Sequence, residues 1–322
     1  MKQPKLDTVV LPDGNRLTGY EGDALFGCIR NNKTYFEQSQ LEKWFLPRAE
    51  KLICIYDIGA NLGNHTIYFA THSAARIFSF EPMPATFAML KRNVDQNGLS
   101  ERVKVFPFAL GEEDRSGQMQ LMRDRCLGCA SIMEEGENTT VKKLNAYRFA
   151  NRKIEKDGKV VAESLDKGNI LKDLTGKNIQ DVSIKRLDEL TLPPPDFIKM
   201  DVEEYELKVL KGMERTLRES SPDLWIEIHG NLSDNKEKWN LLGSLGYVPV
   251  DFEAPWDFIF SKTGTQESES FWKLLDIMHS AAMDLKNKNE EQHQLMRESY
   301  EKSNSWKITA PLRAIRRVFR RY

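Results

Sequence analysis

A chain of 322 residues, 40% hydrophobic and 30% charged, has room for one large domain with appendages and enough apolar side chains for a real core. Its formal net charge of -1 excludes a general electrostatic attraction to nucleic acid, so no nucleic-acid partner is expected. The 4 cysteines, a Met1–Asp7 segment without an apolar core, and no apolar run near the roughly 18 residues of a membrane span point to a reducing cytoplasm.

Residues 1–50 carry short strand-like pieces around the turn signal Pro12-Asp13-Gly14, then a helix expected near Phe36–Leu46. They read as an N-terminal cap segment. Residues 51–262 alternate apolar strand runs with helical patterns, which predicts an α/β fold with a doubly wound, mostly parallel sheet. Strands are expected at Leu52–Ile58, Arg76–Phe80, Val103–Phe108, Phe197–Met200, Leu224–Ile228, Tyr247–Phe252 and Phe258–Phe260. Helices should open near Gly63, Pro84, Tyr205 and Asn235, and the last two strands should close as a C-terminal antiparallel hairpin.

Between the third and fourth strands, Glu112–Leu187 is far too long for an ordinary strand-to-helix connection. This insertion at 112–187 reads as a lid or substrate-binding segment. Within it, Cys126-Leu127-Gly128-Cys129 looks like half of a zinc site with no second half, so two free thiols in a loop are expected.

Residues 263–322 form a helical extension. Phe271, Met278 and Leu285 are spaced by seven, with Leu274, Leu275, Ala281 and Ala282 between them. This predicts an amphipathic, coiled-coil-like helix over 271–303, which either packs on its own domain or joins copies into a homo-oligomer. From Trp306 to Tyr322 there are 6 Lys/Arg and no acidic residue. Leu312, Ile315, Phe319 and Tyr322 share one helical face, with Arg313, Arg316, Arg317 and Arg320 around the other side. Such a segment suits peripheral attachment to an anionic bilayer, here the inner face of the plasma membrane, or docking on a partner protein.

The chemistry-bearing signal begins at Tyr56-Asp57-Ile58-Gly59-Ala60-Asn61-Leu62-Gly63-Asn64, which leaves a buried strand and opens a helix. Glycines there let a ligand approach the backbone. A dinucleotide would need glycine where Asn61 stands, because its pyrophosphate must come close at that position. Asn61 therefore disfavours an NAD-dependent oxidoreductase, and Asp57 suits a ligand bearing a sulfonium and an ammonium. The next strand ends in Phe80-Glu81-Pro82-Met83-Pro84, where an acidic residue suits ribose hydroxyls of either cofactor.

These two motifs, with Phe87–Asn93, Ala109-Leu110-Gly111 and the run Ile198-Lys199-Met200-Asp201-Val202-Glu203-Glu204-Tyr205 to Gly212, resemble the FkbM-type methyltransferase family over roughly residues 20–262. The resemblance implies a Rossmann-like class I methyltransferase fold, S-adenosyl-L-methionine as cofactor, and O-methylation of sugars or natural products. It also implies that Asp57, Gly59, Asn61 and Gly63 line the methionine end of the cofactor. Glu81, followed by Pro82, would hold the ribose, and Ala109 and Leu110 would lie beside the adenine. One position departs from the family: Glu204 stands where glycine is usual.

Methyl transfer is an in-line displacement, so orientation supplies much of the acceleration and a base adds roughly 10²–10⁴. Asp201 ends the fourth strand at the sheet edge where ligands of open α/β sheets bind. Glu203 follows it, and Glu227 and His229 end the neighbouring strand, so these four are the catalytic candidates. Asp201 or His229 is the expected base, and a divalent cation shared by Asp201 and Glu227 is an alternative. His65 and His72, on the first helix of the sheet domain, read as structural. The expected activity is O-methylation of a sugar or glycolipid acceptor in bacterial surface polysaccharide biosynthesis of the O-antigen kind, with the tail meeting membrane or polysaccharide-assembly proteins. The alternatives are a small natural product as acceptor, or a non-catalytic scaffold.

Overall fold

In the computed structural model, residues 5–121, 126–133, 155–156, 159–160, 179–229, 235–253 and 256–262 are described. In chain order the strands are β1 Leu6–Val10, β2 Arg16–Tyr20, β3 Cys54–Ile58, β4 Arg76–Phe80, β5 Val103–Phe106, β6 Ala109–Gly111, β7 Arg115–Leu121 and β8 Ala130–Met133. They continue with β9 Glu155–Lys156, β10 Lys159–Val160, β11 Ile179–Arg186, β12 Phe197–Met200, β13 Asp223–Glu227, β14 Tyr247–Glu253 and β15 Asp257–Lys262.

The short, β-rich apolar runs assemble into one sheet in the order β14-β15-β13-β12-β3-β4-β5. β3, β4, β5, β12 and β13 pair in parallel, and β15 runs antiparallel to both β13 and β14. β3 and β12 are buried at every residue, as strands covered on both faces must be. The α/β class, the parallel sheet and the closing hairpin are those expected. The third strand stops at Phe106, two residues early, because Pro107 has no N–H for the ladder.

Helices Asn64–His72, Pro84–Gln96, Glu206–Gly212 and Lys236–Ser244 start within a residue of their expected positions. Pro84 occupies the first turn, where its missing N–H has no helical partner to lose. The helix expected near Phe36–Leu46 is a three-residue turn, Gln38–Gln40, running into a π-helical turn, Leu41–Phe45. A further helix, Ala24–Asn32, is capped by Asp23, whose side chain accepts from the Phe26 N–H at 2.9 Å.

The N-terminal residues share the core of the sheet. Leu17, Phe26, Trp44 and Phe45 are fully buried with Tyr68, Phe69, Phe197 and Trp225. Asn93 clamps the β1–β2 hairpin to the helix Pro84–Gln96: its Oδ1 accepts from the Thr18 N–H at 2.8 Å, and its Nδ2 donates to the Thr18 carbonyl at 3.0 Å. The insertion differs from a loop-like lid. Its flanks are strands of a second sheet, ordered β6-β11-β7-β8, with β11 parallel to β6 and antiparallel to β7. The sequence hides them because β7 and β11 carry mostly polar, half-exposed side chains.

The 271–303 helix and the tail from Trp306 lie outside the described residues. Among the described residues, no helix is long and apolar enough to cross a membrane.

Candidate functional site

A cavity of about 430 Å³ opens over the carboxyl ends of β3, β4, β12 and β13. The strand order reverses between β3 and β12, which is where open α/β sheets bind ligands. Gly59 makes that crossing possible. Its φ is +85°, and a Cβ there would stand 1.7 Å from the Asp201 carbonyl oxygen. The Gly59 and Ala60 N–H groups both donate to the Phe80 carbonyl at 3.0 Å, and Asn61 follows at φ +50°.

Glu81, at the end of β4, is 6% exposed and lines the cavity with Pro82, Ala109 and Leu110. Its Oε2 accepts from the Asn61 N–H at 2.8 Å, and its Oε1 accepts from the Met83 N–H and the Thr86 hydroxyl, each at 2.8 Å. Burial nonetheless dominates these donors and pushes the carboxyl up to about 7.

Two of the expected cofactor residues stand behind the cavity wall. Asp57 is 1% exposed and accepts a hydrogen bond from Thr66, which in turn meets Ser79 at 2.8 Å. Strand alternation aims its side chain at the helix Asn64–His72 rather than at the opening. Gly63 has φ +95° and caps that helix, where a Cβ would come within 2.9 Å of Leu90. Of the four residues expected at the methionine end of the cofactor, Gly59 and Asn61 line the cavity, while Asp57 and Gly63 brace the turn behind them.

The other half of the cavity is a charge cluster. Asp201, Glu203, Glu227 and His229 all line it, so the four catalytic candidates are brought together. The Asp201 side chain is 31% exposed, and its backbone N–H donates to the Ile58 carbonyl at 2.9 Å. His229 Nε2 stands 3.2 Å from Glu227 Oε1, and the His229 ring packs 4.6 Å from that of Trp256. Burial and the adjacent Asp201 and Asp257 charges push Glu227 well above the usual carboxylate range. Burial also pushes Asp201 up, but the Lys199 cation, a hydrogen bond with Glu227 and the histidines outweigh it and leave Asp201 low. The two carboxyls are therefore pushed in opposite directions, Asp201 toward its ionised form and Glu227 toward its protonated form. Among the described residues, no group of three or more His, Cys, Asp or Glu has metal-holding geometry.

Glu203 and Glu204 take left-handed conformations, at φ +49° and +72°. The Glu204 position thus keeps a backbone that suits glycine, at a cost of roughly 1–2 kcal/mol per residue. Local bonds hold the turn: the Ser131 hydroxyl donates to the Glu203 carbonyl at 2.8 Å, and the Glu204 N–H donates to Glu206 Oε1 at 2.9 Å.

Sequence reasoning missed several partners. His65 is no bystander: it lines the cavity, with its Nε2 3.0 Å from Glu37 Oε2. Lys199 and Asp257 lie close enough to shift the charges of the acidic pair, and Trp256 walls it. No local pattern shows that these residues meet, because they arrive from separate elements. Cys126 and Cys129, expected as free thiols, are joined by a disulfide and line the cavity. The turn they close is pinned by the Leu127 N–H, which donates to Asp23 Oδ2 at 2.9 Å, and by Gly128, where a Cβ would meet Asn61 Nδ2 at 2.3 Å.

The model of the methyltransferase FkbM domain matches residues 57–249, more than half of the chain. The chain belongs to this family. The hexuronic acid methyltransferase AglP of Haloferax volcanii is 27% identical over 199 residues, covering 61% of this chain and 64% of AglP. Methyltransferase 1 of Beauveria bassiana is 24% identical over 207 residues, covering 62% of this chain and 74% of that protein. The solved FkbM methyltransferase of Methylobacillus flagellatus KT has 18% identity and a TM-score of 0.40, covering 65% of this chain and 42% of that one. The chain thus spans less than two thirds of the length of AglP and of the Methylobacillus protein.

Membership of the FkbM family implies S-adenosylmethionine, and the cavity fits that group on its own chemistry. A carboxylate offers about four acceptor positions, and Glu81 spends three of them on its neighbours. A ribose hydroxyl therefore still finds an acceptor there. Phe80, Pro82, Ala109 and Leu110 give the apolar slot that a purine ring needs, next to that carboxylate.

Proposed function

We propose that this protein transfers a methyl group from S-adenosylmethionine to a sugar hydroxyl during assembly of a surface polysaccharide or its lipid-linked precursor. The observation that carries the reading is the Asp201–Glu227 carboxylate pair, which lines the cavity beside the Gly59 turn. The sugar acceptor is supported by the similarity to AglP, which is named for a hexuronic acid.

In this reading Asn61 and the Gly59 turn face the methionine end, Glu81 holds the ribose, and Pro82, Ala109 and Leu110 flank the adenine. Bound there, S-adenosylmethionine supplies a methyl group on a sulfonium, a leaving group that departs as a neutral thioether. Asp201 accepts a hydrogen bond from the acceptor hydroxyl and aims its lone pair in line. As the new oxygen–carbon bond forms, that hydroxyl becomes strongly acidic, so even a carboxylate of low pKa takes its proton. Glu227 donates to Asp201 and fixes its orientation, and His229 and Trp256 close the acceptor side. The β8 strand and the Cys126–Cys129 turn exclude water from the same space.

The remaining parts of the reading concern residues beyond the site. The basic tail from Trp306 attaches the protein to the inner face of the plasma membrane or to polysaccharide-assembly proteins, and the 271–303 helix associates copies. The test is incubation with labelled S-adenosylmethionine and a panel of nucleotide-sugars and glycolipids, read by mass spectrometry. A methyl ether on a sugar hydroxyl is expected. Transfer to nitrogen or carbon, or to small natural products in preference to every sugar, would overturn the reading.

A further inference from the structure

Lys199 is the one residue of β12 that breaks its apolar run. Phe197, Ile198 and Met200 are fully buried, and so is Lys199, at 0% exposure. Its ammonium has no hydrogen-bond partner. It stands 4.9 Å from the centre of the Trp225 ring and 3.8 Å from Asp201 Oδ2. A leucine or methionine would complete this strand without the cost of burying a charge, so the fold alone does not explain a lysine here. It is also absent from the cavity lining, so it does not meet the acceptor directly.

What faces it explains the choice. Asp57 of β3 is its register partner, and Trp225 of β13 is the partner on the other side. Glu227 and His229 follow from β13, and Asp257 comes from β15, where its Oδ1 accepts from Trp225 Nε1 at 2.9 Å. Glu37 and His65 complete the ring from the N-terminal segment and the helix Asn64–His72. We propose that Lys199 is a positioning residue that acts through Asp201, its buried ammonium pairing with that carboxylate from below and keeping it aimed into the cavity. The catalytic meaning of this role rests on the methyl-transfer reading; the electrostatic claim does not.

The charge balance supports the assignment. Burial should drive a lysine toward its neutral form, yet Asp201, Glu37, Asp257 and Glu227 together hold Lys199 above its usual pKa. It is thus a permanent cation beneath the cavity floor. At 3.8 Å it is a fixed cation beside Asp201, and its attraction favours the ionised form of that carboxylate. Without it, Asp201 loses the attraction that offsets its burial. Its carboxyl would then hold a proton to higher pH and could not accept one from the acceptor.

The test uses the full-length chain labelled with ¹³C at the Asp and Glu carboxyls, titrated by NMR without any acceptor. In the unsubstituted protein, Asp201 should ionise below the ordinary carboxylate range. In Lys199→Met its midpoint should move up above that range, while Lys199→Arg should restore it. Binding of S-adenosylhomocysteine within about threefold of the unsubstituted protein marks each variant as folded; Lys199→Gln takes the place of Lys199→Met should the latter not fold. Turnover on whichever acceptor the panel identifies should fall by more than about tenfold at acidic pH and recover as pH rises, with kcat changing more than KM. A folded neutral variant in which Asp201 titrates unchanged would overturn the proposal, and so would failure of both neutral variants to fold. Because the titration needs no acceptor, it stands or fails apart from the sugar reading.

Discussion

The two halves of the cavity are built by opposite means. The half over β3 and β4 is made of backbone: Gly59 at positive φ, two N–H groups on one carbonyl, and a carboxylate, Glu81, already held by three donors. The half over β12 and β13 is made of charge: the Asp201 and Glu227 carboxyls, with the Lys199 ammonium 3.8 Å from Asp201 and His229 3.2 Å from Glu227. A rigid backbone site suits a cofactor that never changes. A cluster whose protons are poised suits the step in which a proton moves, and its neighbours can vary with the acceptor.

Substitutions that touch one half only should keep this contrast. The largest expected effect is Asp201→Asn, which preserves shape but removes the proton acceptor. Turnover should drop by roughly 10²–10⁴ while affinity for S-adenosylhomocysteine stays within a few-fold, measured by radiolabel transfer and calorimetry. Equal losses in both would erase the distinction between the halves.

Gly59→Ala attacks the seam where the halves meet. The new Cβ would overlap the Asp201 carbonyl in a conformation alanine adopts poorly. Left-handed strain and overpacking together should cost about 2–5 kcal/mol, visible as a Tm lower by roughly 4–20 °C. A melting curve that does not move would mean the β3 and β12 turns are not in contact.

Glu81→Ala should act on the cofactor half alone. Losing bonds to a charged acceptor costs about 1.5–3 kcal/mol, so cofactor affinity should fall roughly ten- to a hundredfold by titration calorimetry. The pH dependence follows from the raised carboxyl. Glu81 holds its proton up to about 7, and its ionised form is the better acceptor for ribose hydroxyls. Affinity should therefore rise as pH climbs through that value, and the rise should vanish in Glu81→Gln. Stability of the free protein runs the other way: the contribution from Glu81 is full below its unfolded value and is lost as pH rises through about 7.

The smallest effect belongs to the Cys126–Cys129 turn. Opening a four-residue loop removes about 2 kcal/mol by the loop-entropy relation. Cys126→Ser should lower Tm by several degrees in scanning calorimetry, and added dithiothreitol should lower the unsubstituted protein as far while leaving the variant unmoved.

These contrasts also mark where the sequence was legible. Periodic apolar runs placed all seven strands of the main sheet and four of its helices, because burial on two faces leaves a local signature. The turn from Asp57 to Gly63 was equally plain, since positive φ and close approach restrict residue choice to glycine at single positions. Which members of that turn line the cavity was not plain: strand alternation sent Asp57 behind its wall, and Gly63 caps the helix Asn64–His72. The second sheet was hidden because β7 and β11 each bury only two apolar side chains, Met119 with Leu121 and Val182 with Ile184, among polar neighbours.

The acceptor half was named only in its two strand ends. Asp201, Glu203, Glu227 and His229 could be picked because they lie beside recognisable strands. Glu37, His65 and Asp257 come from different elements and each looks ordinary in its own segment, while Lys199 stood out as the charge in an apolar strand without showing what it faces. By itself, then, the amino-acid sequence determined the sheet, the glycine turn and the place of the Glu81 carboxylate at the end of β4, all set by short-range sterics and burial. The opposite shifts of Asp201 and Glu227 came only from the tertiary structure, because the energy of a buried charge depends on every other charge that the fold brings within a few ångströms.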